Sequence, residues 1–373
     1  MQKLLKLCVV SLVVLIVSIL TAINAYAEEL PDFGLDEYDL SLPDSITQEL
    51  DKNGITPEQI DSESLSIENI LSYIINLITD NLKKPVALLL SLFGIILLCS
   101  ISNVFASTSG GGAKNVFAVC SVLAGAAMMI ASVSDAVCSA QQTLETGSVF
   151  ISSFIPAFAG IVAMSGHVSS AAVFNSIVMG GAQIYMQLAA NVLMPITTAI
   201  MGITLAGSVN TDLKLDALSS AAKKIIIWVL GLIMTVFVAL LGIQSFITVP
   251  ADTVGLKAAR FTVANGVPFV GSAISDALSV MQGGVHIIRG NFGTFGIIAG
   301  AVLIFPSIIS AVCYKFVLTL SGAISDLFGL SSLSALIRSA EGVMSIVVAM
   351  LVCFLLMTVI SISLMIYIAG GAL

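Results

Sequence analysis

Ionisable side chains beside apolar sequence are the positions at which this chain could do chemistry. Asp135 and Asp276 each follow a serine in or near a long apolar run, and Lys257 and Arg260 lie three residues apart. Charged groups are costly in a bilayer and generally face protein or water, and residues three apart share a helix face. These residues are candidates for a polar path or an interface. The alternative for the acids is a Ser-Asp cap at a helix end.

A second set of candidates consists of uncharged amides at helical spacing. Asn175, Gln183, Gln187 and Asn191 follow one another at steps of eight, four and four residues. We predict that they form a polar stripe on one helix face. Such side chains bind helix to helix in lipid or line a cavity, and the sequence leaves both uses open.

The most polar stretch in the second half of the chain is Thr248–Ala277, which lies between two apolar runs. Pro250 is predicted to end the preceding run, and an N-G-V-P sequence ending at Pro268 is predicted to break the chain before Gly271. Broken backbone at membrane depth must be buried in protein or face water. We therefore expect a re-entrant hairpin that packs against Pro156–Gly160 and forms an interface, not a catalytic site.

No catalytic signature accompanies these residues. The sequence contains no H-E-x-x-H, no G-x-S-x-G and no Walker A motif. Ser165-Gly166-His167 is interpreted as a polar turn between apolar helices. The six cysteines form no C-x-x-C pair. We predict no catalytic residue, no cofactor and no metal site.

The overall composition explains which elements must position these residues. The chain is 58% hydrophobic and only 10% charged, whereas soluble domains carry about 25% charged residues. This predicts an all-α polytopic integral membrane protein that contacts the lipid bilayer. The net charge of −8 arises largely from residues 28–69, which hold thirteen acids and one base. A nucleic-acid partner is therefore not expected.

The N-terminal part has the pattern of an exported protein. Residues 1–27 are predicted to be a signal peptide because two lysines precede an apolar run that ends in A-Y-A. The alternative is an uncleaved signal anchor. Residues 28–84 form a predicted acidic extracytoplasmic segment with an amphipathic helix from Leu65, which lies on the membrane or binds a partner. Residues 85–114 are predicted to hold the first transmembrane span and a Gly-rich loop at 107–114.

The remainder suggests an internal duplication of Pro-broken helical units. Pro156 and Pro195 have counterparts in Pro268 and Pro306, at offsets of 112 and 111 residues by subtraction. A constant offset is the signature of a repeat. The predicted units are 115–224 and 225–338, followed by a C-terminal span within 339–373. Within them we expect an insecure span at 149–163, a helix break near Pro195, and connectors at 210–224 and 325–338.

Basic residues predict the orientation of these units. Lys114, Lys224 and Arg338 lie at three corresponding joints, and positive charge collects on the cytoplasmic side of membrane proteins. If all three joints are cytoplasmic, each unit crosses the membrane an even number of times and the duplication is parallel. Lys257 and Arg260 would then lie on the opposite side.

The stretch Ala251–Ala277 resembles the stage III sporulation protein AE family of endospore-forming bacteria, and the resemblance extends from about residue 65 to the end of the chain and includes the signal peptide. It implies a non-enzymatic membrane subunit of the channel complex between mother cell and forespore, needed for forespore maintenance and late forespore gene expression. The implied location is the mother-cell membrane around the forespore. The implied partners are the other stage III A proteins and the forespore stage II Q protein. The alternative is a permease that moves a small solute through its own helical bundle.

Overall fold

The structure is a computed structural model that describes residues 67–109, 111–209, 216–266 and 271–370. Side chains are described over most of 81–102, 119–203, 220–262 and 285–367. The predicted signal peptide and the acidic segment as far as residue 66 lie outside the described residues. The described elements are helical, as expected for apolar sequence, because a helix satisfies its own backbone hydrogen bonds where water is excluded.

Seven α-helices and one π-helical turn make up this described part. In chain order they are α1 (Ile67–Ser109), α2 (Gly111–Met164), α3 (Val168–Leu188), the π-turn (Ala189–Leu193), α4 (Met194–Val209), α5 (Asp216–Gly266), α6 (Gly271–Leu327) and α7 (Ser331–Gly370).

In the part of the chain that the structure describes, six helical segments are long and apolar enough to cross a membrane. They are Asn81–Ser102, Val122–Met164, Val168–Ile203, Ser220–Ala259, Gly290–Leu327 and Ser331–Tyr367. A transmembrane helix needs about 20 apolar residues, and the shortest of these segments has 22. The fold is therefore that of a multi-pass helical membrane protein.

From α2 onward, the apolar segments alternate in direction. Phe154 of α2 stacks on Phe292 of α6, and Thr143, earlier in α2, contacts Ser307, later in α6, so these two helices are antiparallel. α7 is the most deeply buried of the six segments and runs parallel to α2. α5 is also parallel to α7, because Lys223 lies against Gly342 while Phe237 and Met357 both meet Gly181 of α3. The N-terminal ends of α2, α5 and α7 therefore lie at the same end of the bundle.

An aromatic cluster holds α2 against α6. Phe150, Phe154 and Phe158 stand on one side of α2, and the Phe154 ring stacks on Phe292 with centroids 4.8 Å apart. Gly296 leaves the space for that ring, because a Cβ atom there would overlap Phe154. The G-x-x-x-G step at Gly296 and Gly300 thus serves close helix packing.

Among the described residues, prolines do not end helices, contrary to the expectation for Pro250. That residue lies inside α5, and Pro85, Pro156 and Pro306 lie inside α1, α2 and α6. Proline in a helix interior loses one hydrogen bond, at about 3 kcal/mol. Packing along helices of more than 40 residues outweighs that single defect, and transmembrane helices tolerate proline for this reason.

The segment 149–163 is part of one continuous helix, α2, and is not a separate short span. Pro156–Gly160 packs beside Phe292 and Gly293 of α6, and the predicted hairpin partner at residues 267–270 lies outside the described residues. The break expected near Pro195 is present in a mild form, as the π-turn that immediately precedes it.

The predicted connectors are much shorter than expected. The Gly-rich loop at 107–114 is replaced by helices that end at Ser109 and begin again at Gly111. The connector at 325–338 reduces to residues 328–330, where Gly329 has a φ of 71°. Gly166, with a φ of 96°, turns the chain between α2 and α3. Both glycines adopt a left-handed conformation that other residues avoid.

Candidate functional site

The centre of α2 carries an exposed carboxylate. Glu145 lies two residues from the middle of the apolar segment Val122–Met164, and its side chain is exposed on the bundle surface. Gln141 donates a hydrogen bond to it over 3.1 Å, and Gln142 nearby is exposed as well. A charged side chain inside a bilayer costs up to about 2.5–3.5 kcal/mol on insertion scales, and the cost depends on its depth. This position therefore calls for a partner.

The amides predicted on α3 lie mostly on its outer face. Gln183, Gln187 and Asn191 are exposed, the last of them in the π-turn. Asn175 is half-buried, and its Oδ1 atom is buried without a hydrogen-bond partner. The predicted single stripe is therefore wrong at Asn175. Eight residues at 3.6 per turn rotate a side chain by about 80°, which turns Asn175 toward the bundle.

The polar groups of α2 and α3 lie at the same height along the bundle. The Phe354 ring of α7 packs at a tilt against Tyr185 with centroids 5.6 Å apart, and the same ring fills the space above Gly147. Glu145 and Gln187 are each two residues from these contacts, which is about 3 Å along a helix axis. We name the exposed set Gln142, Glu145, Gly180, Gln183 and Gln187 the α2–α3 polar face.

The interior at this height is mostly apolar among the described side chains, and its polar groups are hydroxyls, such as those of Thr143 and Ser307, which contact each other. Phe150, Phe154 and Phe354 are fully buried there, and the hydroxyl group of Tyr185 donates to the Met350 carbonyl. The buried Thr358 and Ser361 hydroxyls donate hydrogen bonds to backbone carbonyls one turn earlier in α7. The carboxylate and amide side chains at this height, those of Glu145, Gln183 and Gln187, are on the outside of the described bundle.

Other outer faces have the composition expected of lipid contact. On α5 the exposed side chains include Trp228, Ile243, Phe246 and Ile247, and Phe246 is 84% exposed. Trp228 lies near the start of that helix, where an aromatic belt meets the membrane surface. The α2–α3 polar face differs from these faces in chemistry, although all of them are exposed in the single chain.

Asp252 anchors α5 to the start of α3. Its Oδ1 and Oδ2 atoms accept hydrogen bonds from the backbone N–H groups of Ser169 at 3.0 Å and Ser170 at 2.8 Å. The carboxylate thereby satisfies two donors of the first helical turn, where the helix dipole favours negative charge. This buried acid is a structural cap.

The Ser165-Gly166-His167 turn adjoins this cap and is not arranged as a catalytic pair. The Ser165 hydroxyl donates to the Val162 carbonyl at 2.6 Å, and its oxygen is 3.5 Å from His167 Nδ1. The hydroxyl hydrogen is thus used by the backbone. The predicted interpretation of these residues as a polar turn is confirmed by the backbone geometry.

A charged cluster lies at the opposite end of the bundle. Asp326, at the end of α6, accepts hydrogen bonds from Ser334 and Arg338 of α7 and forms an ion pair with the arginine across the turn. Lys223 of α5 interacts electrostatically with Glu341 and Lys315. These groups fix the register of α5, α6 and α7 at the end where α2, α5 and α7 begin.

Most of the other predicted candidates lie on α2, α5 and α6. Asp135 is exposed and lies far from both ends of α2. Its interpretation as a helix cap is therefore wrong. Asp276 also lies inside a helix, α6, and Arg260 lies inside α5. The side chains of both residues are outside the described set. Lys257 is exposed on α5. Gly271 begins α6, and Pro268 lies outside the described residues.

Two acids of this structure were not predicted from the sequence. Glu145 lies in a polar stretch that resembles a connector, although buried Ala140, Leu144 and Ile151 keep helical spacing through it and indicate a continuous helix. Asp252 has no local signal, because its partners are 82 and 83 residues away.

Metal chemistry has no support in the part of the chain that the structure describes. No group of three or more His, Cys, Asp or Glu side chains there could hold a metal ion. The five cysteines described, at positions 99, 120, 138, 313 and 353, are free thiols. What the arrangement offers is a hydrogen-bonding surface at the middle of two apolar helices.

Comparison with known proteins identifies the family. The chain is 24% identical over 191 residues to the stage III sporulation protein AE of Bacillus subtilis (strain 168), and the alignment covers 51% of this chain and 48% of that protein. The match thus spans about half the length of this curated relative. No solved structure matches the chain. The sequence profile described as stage III sporulation protein AE matches residues 52–369, which is most of the chain. The chain therefore belongs to the stage III sporulation protein AE family.

Proposed function

We propose that this protein is a non-enzymatic membrane subunit of the channel complex that links mother cell and forespore during sporulation. It lies in the mother-cell membrane around the forespore and supports forespore maintenance and late forespore gene expression. Its partners are the other stage III A proteins and the forespore stage II Q protein. Membership of the family supports the sporulation role.

One observation carries the choice of a subunit over a permease. The carboxylate and amide groups at the middle of α2 and α3 point away from the bundle, while the described side chains inside it at that height are aromatic, aliphatic or hydroxyl-bearing, and the hydroxyl groups of Tyr185 and Thr358 donate to backbone carbonyls. A permease that works alone needs polar groups around its own internal path. A subunit needs them where another helix covers them, because lipid cannot satisfy them.

The stretch around Lys257, Arg260 and Asp276 is a second proposed interface. Lys257 is exposed near the end of α5, at the opposite end of the bundle from Lys224 and Arg338. Its aliphatic stem can lie along the membrane while the ammonium group reaches water or a partner. This location is suited to contact with the space between the two membranes.

The test is a double substitution, Glu145→Leu with Gln187→Leu, in sporulating cells. Leucine suits a lipid-facing position, so the variant should insert and accumulate normally. Loss of the interface should weaken association with other stage III A proteins by about tenfold if the lost contacts are worth ~1.4 kcal/mol, and should lower both co-purification of those proteins and spore yield. Both quantities are measured beside the protein level.

Thr235→Leu is the matched control, because Thr235 is exposed on the lipid-like face of α5. That variant should assemble and sporulate like the wild type. Failure of the tagged wild-type protein to co-purify with any other stage III A protein would refute the proposed function. Normal assembly combined with failed sporulation would shift the proposal toward transport through the chain itself.

A further inference from the structure

The α2–α3 polar face contains hydrogen-bonding groups that complement each other. A glutamate carboxylate such as that of Glu145 accepts hydrogen bonds, whereas Gln183 and Gln187 each bring two N–H donors. All three are exposed on two consecutive helices, with Glu145 and Gln187 at one height and Gln183 about 6 Å further along the helix axis. A surface that carries both halves of such a pair can bind a second copy of itself.

Small residues allow another helix to approach this face closely. Ala172, Ser176 and Gly180 recur every fourth residue on α3 and are exposed. A Cβ atom at Gly180 would meet nothing within 4 Å, so glycine is not required there by packing within the chain. Small residues at four-residue steps are typical of close helix contacts in membranes.

We propose that the α2–α3 polar face binds a second copy of this chain, with α2 of each copy lying against α3 of the other. Two copies in one membrane share the same orientation, so their two-fold axis runs along the membrane normal. Rotation about that axis leaves every group at its original depth. Glu145 of one copy therefore meets Gln183 and Gln187 of the other.

This arrangement also avoids contact between like charges. A two-fold axis through α2 would bring the two Glu145 carboxylates together, which is unfavourable in a medium of low dielectric constant. Pairing of α2 with α3 separates them and gives each carboxylate amide donors. The α2 and α3 helices are antiparallel within one chain, and the pairing between copies is antiparallel as well, so the same faces can interlock.

The inference rests on the proposed function only in treating this face as a protein interface. Its test uses the purified full-length protein alone in lipid nanodiscs or vesicles, with no other sporulation protein present. Subunits are counted by photobleaching of a single dye attached to each chain. The wild type should give two steps per particle at dilute protein-to-lipid ratios.

Gly180→Leu is the decisive variant. A Cβ atom at this exposed position meets nothing in the single chain, whereas a leucine side chain would block the approach of a second helix. The two-step fraction should fall by about tenfold, which corresponds to ~1.4 kcal/mol of association free energy. Gly231→Leu is the matched control, because Gly231 is also exposed and open but lies on α5. It should retain the wild-type count.

A second measurement guards against misfolding of the Gly180 variant. Glu145→Cys and Gln187→Cys are introduced into separate chains that lack the native cysteines and are mixed in vesicles. A bifunctional thiol reagent should crosslink these two chains. It should not crosslink a Glu145→Cys chain to a Thr235→Cys chain. A monomeric wild type, or an unchanged count in Gly180→Leu, would overturn the proposal.

Loss of stage III A co-purification in Gly180→Leu, together with a monomeric wild type, would assign the face to a different subunit. That outcome overturns this inference and leaves the proposed function standing. A dimeric protein that fails to co-purify with any stage III A protein would support this inference and refute the proposed function.

Discussion

Asp252 and Glu145 are both acids within apolar helices, but their charges are accommodated differently. Asp252 is buried and accepts two backbone hydrogen bonds from the first turn of α3. Glu145 is exposed and accepts one hydrogen bond from Gln141, a residue of its own helix. The first acid is satisfied within the chain. The second has remaining acceptor capacity at the bundle surface, which is the physical basis of the proposed interface.

Removing the Asp252 carboxylate should lower the stability of the folded protein, because the carboxylate caps α3. Asp252→Ala leaves the Ser169 and Ser170 N–H groups without their acceptors, at about 1–2 kcal/mol for a lost helix cap. Asp252→Asn keeps one oxygen acceptor and should lose less. Thermal unfolding in detergent measures the difference, with Asp135→Ala as the control at an exposed acid. Equal unfolding midpoints for Asp252→Ala and the wild type would contradict the capping role.

At the level of elements, glycine and phenylalanine determine how closely the helices approach. Phe154 occupies the space above Gly296, Phe354 the space above Gly147, and Phe237 the space above Gly181. In each pair, a phenylalanine ring of one helix fills the space that a glycine leaves on a neighbouring helix. Dispersion contacts of this kind are a main source of helix association in lipid.

Gly296→Ala should therefore weaken the contact between α2 and α6. The added methyl group would overlap the Phe154 ring, and overpacking of this kind costs about 1–3 kcal/mol. Gly231→Ala, where a Cβ atom meets nothing within 4 Å, is the control and should not destabilise. Unfolding midpoints in detergent give the comparison. Phe154→Leu combined with Gly296→Ala should recover part of the loss, and no recovery would argue against direct overlap.

At the scale of the whole molecule, the alternating directions of the helices bear on topology. The three joints predicted to be cytoplasmic all lie at the end of the bundle where α2, α5 and α7 begin. The assignment of that end to the cytoplasm stays a prediction, as does the duplication of 115–224 and 225–338. Pro156 lies inside α2, whereas its counterpart Pro268 falls between α5 and α6.

Cysteine labelling in sealed vesicles tests this topology. Single cysteines at Lys224 and Arg338, in a chain without its six native cysteines, should react from the same side. A cysteine at Lys257 should react only from the opposite side, because α5 crosses the membrane between Lys224 and Lys257. Labelling of Lys224 and Arg338 from opposite sides would overturn the predicted topology.

The sequence alone determined the helical membrane class, the family and the identity of the polar amides. High apolar content and the scarcity of charge are enough for the class, because only helices satisfy the backbone of such a chain in lipid. The sequence also located the turn at Ser165–His167 and the irregular backbone before Pro195, where local residue types decide the conformation.

The tertiary structure alone decided which side of each helix faces outward and which acids find partners. In water, apolar periodicity separates core from surface. In a membrane both the core and the lipid-facing side are apolar, so the pattern cannot distinguish them. The outward position of Glu145 and Gln187, and the capping of α3 by Asp252, depend on how distant helices pack, and no local pattern encodes that packing.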